Sequence, residues 1–122
     1  MLDALEHYYS YSNSNVHRGV YKLAEEATKQ FESTRDCVAS FINSKNRDSI
    51  IFTSGTTESI NLVAHGWAKN HLSKGDHILL SEMEHHSNIV PWQMVCQEKE
   101  AKLRVIPISD KGELLLEDYG KL

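Results

Sequence analysis

Residues 49–57 read Ser-Ile-Ile-Phe-Thr-Ser-Gly-Thr-Thr, an apolar run that ends in small polar residues. The run from Ser49 to Thr53 predicts a β-strand, and the amphipathic pattern that begins near Thr57 predicts a helix after it. Gly55 is expected to permit the sharp turn between the two elements. A strand that turns directly into a helix is typical of α/β sheets, so this stretch decides the predicted fold class.

The same turn predicts an anion site. Thr56 and Thr57 offer two hydroxyl groups, and the first turn of a helix carries unpaired backbone N–H groups at the positive end of the helix dipole. Together these groups suit a phosphate. Thr and Gly are also common in plain turns and helix caps, so the alternative of a simple cap stays open.

Hydrophobic periodicity on both sides of this turn predicts the order β-α-β-α-β, preceded by a long helix. We expect helices over 2–9, 21–42, 57–72 and 88–100, strands over 49–53, 77–82 and 102–106, and the start of a further helix at 114. The polar stretches 10–15, 43–48, 74–76 and 110–112 are expected to be loops or turns. Strands joined by helices imply right-handed crossovers and a parallel sheet.

Apolar spacing also indicates which faces of the helices are buried. The expected inward residues are Ala24, Ala27, Phe31, Val38 and Ile42 in the long helix, and Ile60, Val63, Ala64 and Trp67 in the helix after the glycine turn. Ser87 or Asn88 is expected to cap the helix that ends near Glu100, with Pro91 in its first turn.

A second loop, Met-Glu-His-His-Ser-Asn at 83–88, follows the second predicted strand. Ligands bind parallel sheets beyond the carboxyl ends of the strands, where this loop and the glycine turn both lie. An imidazole there could stack on a flat heteroaromatic ring or transfer protons near neutral pH. A solvated pair is the alternative for His85 and His86. A metal site is disfavoured because no third ligand follows at the spacing of zinc motifs.

Composition excludes several classes of protein. The chain of 122 residues has room for one domain at most. Its net charge of −4 argues against nucleic-acid binding, and no apolar run reaches the ~18 residues of a membrane span. Cys37 and Cys96 lack metal or disulfide spacing, which predicts inert core thiols in a reducing cytoplasm. Four histidines are expected at the surface: His7, His65, His71 and His77.

Three segments carry a family resemblance. They are Asn-Val-His-Arg-Gly at 15–19, Phe-Thr-Ser-Gly-Thr-Thr-Glu-Ser-Ile-Asn-Leu-Val at 52–63, and Glu-Met-Glu-His-His-Ser-Asn-Ile-Val-Pro-Trp-Gln at 82–93. In residue type and spacing the chain resembles the pyridoxal-phosphate-dependent cysteine desulfurases of the SufS type, within the class V aminotransferase family. The resemblance covers nearly the whole chain. Its third segment is highly specific, because IscS-type desulfurases keep the Gly-Thr-Thr region but differ there.

The resemblance implies a fold and a site. The fold is the fold-type I, aspartate aminotransferase-like fold, of which this chain would be part of the large domain. Gly55, Thr56 and Thr57 would hold the phosphate of pyridoxal phosphate. His85 would stack on the pyridine ring and take part in proton transfer, and His17 would lie near the substrate. The resemblance implies no metal ligand.

The resemblance also implies an activity and partners. Members of the family take sulfur from L-cysteine and leave alanine and an enzyme persulfide, which feeds iron–sulfur cluster assembly through a sulfur-acceptor protein. The complete enzyme would be a homodimer. The alternatives are a selenocysteine lyase or another class V enzyme, and a non-catalytic module that binds the cofactor or phosphate, or pairs with a second polypeptide.

Parts of the family pattern have no counterpart here. They are the Schiff-base lysine of a Ser-Gly-His-Lys type segment, the aspartate and glutamine at the ring, the nucleophilic cysteine, which Cys96 does not match, and the strand before Leu2. We therefore expect a single partial domain, truncated at both ends and inactive alone. The family fold separates the first predicted strand from the other two, so 49–53 is expected not to pair with 77–82, which leaves strand edges unpaired.

Overall fold

A computed structural model describes residues 1–121, and the chain divides into two compact units, one over Met1–Phe52 and one from Thr53 onward. The chain is a partial α/β domain with a two-stranded parallel sheet. Among the described residues, no helix combines the length and the apolar character needed to cross a bilayer.

The first unit is helical. α1 spans Leu2–His7 and continues as a π-helical turn over Tyr8–Ser12, so helix extends into the loop expected at 10–15. α2 spans Lys22–Phe41, within one residue of its expected bounds at each end. A 3-10 turn over Arg47–Ser49 follows.

The buried face of α2 follows the expected period over most of its length. Ala24 and Ala27 are buried, and Phe31 and Val38 are partly buried. The expectation for Ile42 was wrong, because α2 ends at Phe41 and Ile42 lies in the following turn with 57% of its surface exposed.

The strand expected at 49–53 is also wrong. Its first residue belongs to the 3-10 turn, and residues 50–53 form no ladder with any described part of the chain. A strand needs a neighbouring strand to pair its N–H and C=O groups, and the two strands that do form pair only with each other. The carbonyl of Ile50 instead accepts a hydrogen bond of 2.7 Å from Arg35.

The second unit is built on a βαβ arrangement. β1 (His77–Ser81) and β2 (Lys102–Ile106) are parallel, with register from His77 opposite Lys102 to Ser81 opposite Ile106. α5 (Val90–Lys99) connects them. Both strands were expected at these positions. Because 49–53 forms no strand, the described order is βαβ and not β-α-β-α-β.

One helical stretch precedes the sheet. α3 (Thr56–Leu62) runs into a π-helical segment, Val63–Ala68, and then into α4 (Lys69–His71). This confirms the helix expected at 57–72. After β2, a turn closes the bridge between Ile108 and Leu114, and α6 (Leu116–Tyr119) begins two residues later than expected.

The core of the second unit lies between this helical stretch and α5. Ala64, Ala68 and Val95 are buried together, with Leu72 and Trp92 packed at the margin. The expectation that Val63 and Trp67 face inward was wrong, since they are 48% and 58% exposed. The small alanine side chains occupy the face in contact with α5, where close approach favours small residues. Trp67 instead stacks on His71, with ring centroids 4.5 Å apart.

Candidate functional site

A cavity of about 310 Å³ lies in the second unit, between the start of α3, the loop after β1 and the start of α5. Its lining residues are Thr57, Asn61, His85, His86, Ser87, Val90, Pro91 and Met94. Two of the residues that the sequence singled out, Thr57 and His85, therefore line the same cavity. Gly55 and Thr56 precede Thr57 in the chain but are not among the lining residues, and His17 belongs to the first unit.

The start of α3 presents free hydrogen-bond donors. The first backbone bond of the helix runs from the Ser59 N–H to the Gly55 carbonyl at 3.1 Å. Among the described residues, the N–H and hydroxyl groups of Thr56 and Thr57 have no acceptor, and both side chains are exposed. Four donors at the positive end of a helix fit a phosphate group in chemistry and in charge.

The backbone at Gly55 lies in a conformation that is not special to glycine. Its backbone is nearly fully extended, with φ 164° and ψ −179°, and other residues adopt this conformation. A Cβ added there would meet no atom within 4 Å. Gly55 permits the turn as expected, but neither its backbone angles nor its neighbours require a glycine there.

The turn before α3 is held by its own side chains. One carboxylate oxygen of Glu58 accepts hydrogen bonds of 2.6 Å from both the backbone N–H and the hydroxyl of Ser54. The hydroxyls of Thr53 and Ser59 lie 2.7 Å apart. The bonds from Ser54 hold the pKa of Glu58 below its usual 4.5. Ser54 is therefore already bonded, whereas the donors of Thr56 and Thr57 are left for a ligand within the described part of the chain.

Sequence reasoning missed Glu58, although a signal for it exists. A glutamate at the third position of a helix commonly reaches back to a backbone N–H before the first turn, as in a capping box. Here it occupies that position after Gly55 and bonds Ser54.

His85 is fixed by the residue two positions later. Its Nδ1 accepts a hydrogen bond of 3.2 Å from the Ser87 N–H and lies 3.0 Å from the Ser87 hydroxyl. A backbone N–H can only donate, so Nδ1 is the acceptor and carries no proton. Nε2 is therefore the protonated nitrogen of the neutral ring.

The expectation that Ser87 or Asn88 caps the helix ending near Glu100 was wrong, because the N-cap of α5 is Ile89 and has no side-chain hydrogen bond. His85 accepts the capping bond of the short 3-10 turn His86–Asn88 that precedes α5. An unprotonated imidazole nitrogen serves as the acceptor that a serine or asparagine oxygen usually provides. The expected place of Pro91 is confirmed, since it lies in the first turn of α5.

His86 lines the same cavity in a different orientation. Its ring is almost perpendicular to that of His85, at 89°, with centroids 6.1 Å apart. Its side chain has no hydrogen-bond partner within the described part of the chain, whereas His85 is bonded to Ser87. Because the rings are perpendicular, one of the two at most can lie flat on a given planar ligand.

His17 is held against α2 in the first unit. Its backbone is left-handed, with φ 61°, a conformation that costs a non-glycine residue about 1–2 kcal/mol. The His17 N–H donates to the Thr28 hydroxyl at 3.0 Å, and Nε2 lies 3.0 Å from a carboxylate oxygen of Glu32. The ring meets Phe31 edge-on at 5.8 Å. These contacts orient the imidazole and leave Nδ1 without a partner among residues 1–121. No sequence pattern pointed to Glu32.

The remaining candidates give a mixed result. Cys96 is buried, and burial raises its pKa, which confirms an inert core thiol. Cys37 is exposed, so its assignment to the core was wrong. Four histidines are exposed as expected: His7, His65, His71 and His77. Within residues 1–121, no group of three or more His, Cys, Asp or Glu side chains is placed to hold a metal ion.

Comparison with known proteins gives consistent matches. The family model described as "Aminotransferase class-V" matches residues 1–122. A probable cysteine desulfurase of Mycolicibacterium paratuberculosis is 50% identical over 122 residues, which are all of this chain and 18% of that protein. A probable cysteine desulfurase of Staphylococcus aureus (strain Mu50) is 52% identical over 118 residues, 97% of this chain and 29% of the relative.

A solved structure agrees with these matches. The apo structure of a cysteine desulfurase from Thermococcus onnurineus superposes with a TM-score of 0.89 at 40% identity, covering 98% of this chain and 30% of that one. The chain therefore spans less than a third of the length of these relatives.

We predict that Glu58→Gln destabilises the chain more at about pH 7 than at about pH 3. The Ser54 bonds lower the pKa of Glu58. These bonds therefore stabilise the folded chain at pH values above the pKa of Glu58 in the unfolded chain, near 4.5. The stabilisation is lost as the pH falls through the lower pKa that Glu58 has in the folded chain. The urea midpoints of the wild-type chain and the Glu58→Gln variant, taken at both pH values, measure the loss of stability. Glu117→Gln, at an exposed site on α6, is the control, and an equal loss at both pH values would contradict the prediction.

Proposed function

We propose a function for this chain from the premise that it belongs to the class V aminotransferase family, whose enzymes depend on pyridoxal phosphate. The chain is, in this proposal, the N-terminal part of the cofactor-binding large domain of a cysteine desulfurase. Relatives with this name match the chain at 50% and 52% identity. Because the chain spans under a third of their length, the activity belongs to the longer enzyme, which we call the full-length enzyme.

The proposed reaction removes sulfur from L-cysteine and leaves alanine and an enzyme-bound persulfide. A sulfur-acceptor protein then carries the sulfur to iron–sulfur cluster assembly. We place the full-length enzyme in the cytoplasm as a homodimer. The two unpaired cysteines of the chain are compatible with a reducing compartment.

One observation carries the proposal: the cavity that Thr57 and His85 line together. The donors of Thr57 and the imidazole of His85 in one cavity match the two ends of a phosphorylated heteroaromatic cofactor, and Thr56 adjoins Thr57 in the chain. The N–H groups and hydroxyls of Thr56 and Thr57 would hold the phosphate, with the Gly55 backbone beside them. Pyridoxal phosphate supplies an electron sink for charge that develops on the substrate carbon.

His85 would face the ring of the cofactor and handle a proton at Nε2. Ser87 occupies Nδ1, so the neutral imidazole holds its proton at the nitrogen that is free to reach a ligand. It can donate that proton or a hydrogen bond and recover it afterwards. Val90, Pro91 and Met94 give the cavity an apolar wall against which a flat ring could pack.

His17 would lie near the cysteine substrate. Its support is local, since backbone strain of this kind concentrates at functional sites. The carboxylate of Glu32 orients the ring and leaves Nδ1 available to accept a proton. This assignment is independent of the cavity in the second unit.

We predict that the 122-residue polypeptide alone has no desulfurase activity. None of its lysines lies in a segment that matches the lysine segment of the family, and no cysteine matches the nucleophile, so the covalent steps lack their reacting groups. Incubation with pyridoxal phosphate and L-cysteine, followed by alanine and sulfide assays, tests this. Alanine formation clearly above that of free cofactor would contradict it.

In the full-length enzyme, replacing Thr56 and Thr57 together with Val should weaken pyridoxal-phosphate binding more than tenfold. A hydrogen bond to a charged group contributes about 1.5–3 kcal/mol, and ~1.4 kcal/mol is a factor of ten. Binding should persist, because the backbone donors remain. Cofactor titration measures it, with Thr34→Val on the surface of α2 as the control. An unchanged dissociation constant would mean that the Gly-Thr-Thr turn serves only as a helix cap.

His85→Ala should lower cofactor affinity and turnover of the full-length enzyme much more than His86→Ala. Both residues line the cavity, but only His85 is held by Ser87, and the perpendicular rings cannot both lie on the cofactor. Dissociation constants and kcat of the two variants decide the matter. Equal losses would mean that the imidazole roles are shared or misassigned.

A further inference from the structure

We propose that Glu84 is the positioning residue of His85, because its carboxylate ties the histidine loop to the end of β1 and to the start of α5. The inference rests on the proposed function where cofactor binding is the readout. It assigns a role to a side chain that does not line the cavity.

Both oxygens of the Glu84 carboxylate are used. The Ser81 hydroxyl, on the last residue of β1, donates to one oxygen at 2.6 Å. The Asn88 side-chain amide donates to the other at 2.8 Å. The carboxylate therefore bridges two points on either side of His85 in the chain.

The bridge continues into the core. The Asn88 oxygen accepts a hydrogen bond of 2.8 Å from the indole N–H of Trp92. Trp92 packs at the margin of the cluster formed by Ala64, Ala68 and Val95. A chain of hydrogen bonds thus runs from the strand through Glu84 to a packed aromatic side chain of α5.

This network is the main side-chain attachment of loop 83–88. Within the described residues, two side-chain hydrogen bonds join the loop to the rest of the protein: the Ser81 hydroxyl donates to Glu84, and the Trp92 indole N–H donates to Asn88. The hydrogen bond from Asn88 to Glu84 and the contact between His85 and Ser87 both lie within the loop. Without Glu84, the side-chain bond between Trp92 and Asn88 would remain, but among the described residues no side-chain bond would join the loop to β1.

The carboxylate is suited to this task because it is ionised. The bonds from Ser81 and Asn88 hold the pKa of Glu84 below its usual value. Hydrogen bonds to an ionised acceptor are about twice as strong as neutral ones. Glutamine can keep both connections without the charge, since its oxygen can accept from Asn88 and its amide can donate to Ser81.

The test compares Glu84→Ala, Glu84→Gln and His85→Ala in the full-length enzyme. We expect Glu84→Ala to raise the pyridoxal-phosphate dissociation constant about tenfold and to alter the absorbance band of the bound cofactor. Glu84→Gln should recover most of both. Met83→Ala is the matched control, since its exposed side chain belongs to the same loop but not to the network.

A double-mutant cycle separates positioning from a general structural role. If Glu84 acts through His85, adding Glu84→Ala to His85→Ala should cost no further cofactor affinity. Two losses that add would overturn the inference, as would a Glu84→Ala enzyme with wild-type affinity. A His85→Ala enzyme with wild-type affinity would instead refute the proposed function.

If His85→Ala leaves cofactor affinity unchanged, the position of His85 can still be measured without cofactor. Acylation of histidine side chains, read by mass spectrometry, reports how tightly each ring is held. Glu84→Ala should raise the labelling rate of His85 several-fold and leave that of His7, on the surface of α1, unchanged. An unchanged rate at His85 would overturn the inference.

Discussion

The parallel pairing of β1 with β2 is the constraint on which the second unit depends. A parallel pair cannot be closed by a hairpin, so the chain between Ser81 and Lys102 must cross over the sheet, and α5 is that crossover. The loop that enters α5 is thereby fixed at the carboxyl end of β1. Val95 packs α5 against the helical stretch that begins at Thr56, so both walls of the cavity follow from one pairing.

The local sequence predicted those elements whose residue types and spacing are distinctive by themselves. The bounds of α2 and β2 and the turn at Pro91 follow from apolar period, β-branched content and proline geometry. The prediction of a strand at 49–53 was wrong. The residue types suit a strand, but a strand forms only where it can pair with a partner strand elsewhere in the chain. The prediction that Trp67 is buried was wrong for a related reason. Periodicity ranks bulky apolar residues as core, whereas the contact with α5 selects alanines.

The sequence predicted the residues of the candidate site that face a ligand. It did not predict the residues that hold them in place. Thr57 and His85 were identifiable because each follows a strand or turn at an edge where ligands bind, and the cavity unites them. The supporting carboxylates Glu32, Glu58 and Glu84 act through hydrogen bonds whose partners depend on side-chain placement. Only the position of Glu58, in the first turn of a helix, gives a local clue.

The alanine contact has a geometric consequence for the cavity. Ala64 lies seven residues beyond Thr57, about 10 Å along the helix, and Val95 lies one turn beyond Pro91. The contact between their methyl groups sets the spacing of the two helices, and the cavity lies at the open end of that pair. Ala64 and Ala68 thus act as a spacer: their size fixes how wide a ligand the walls admit, although neither touches it.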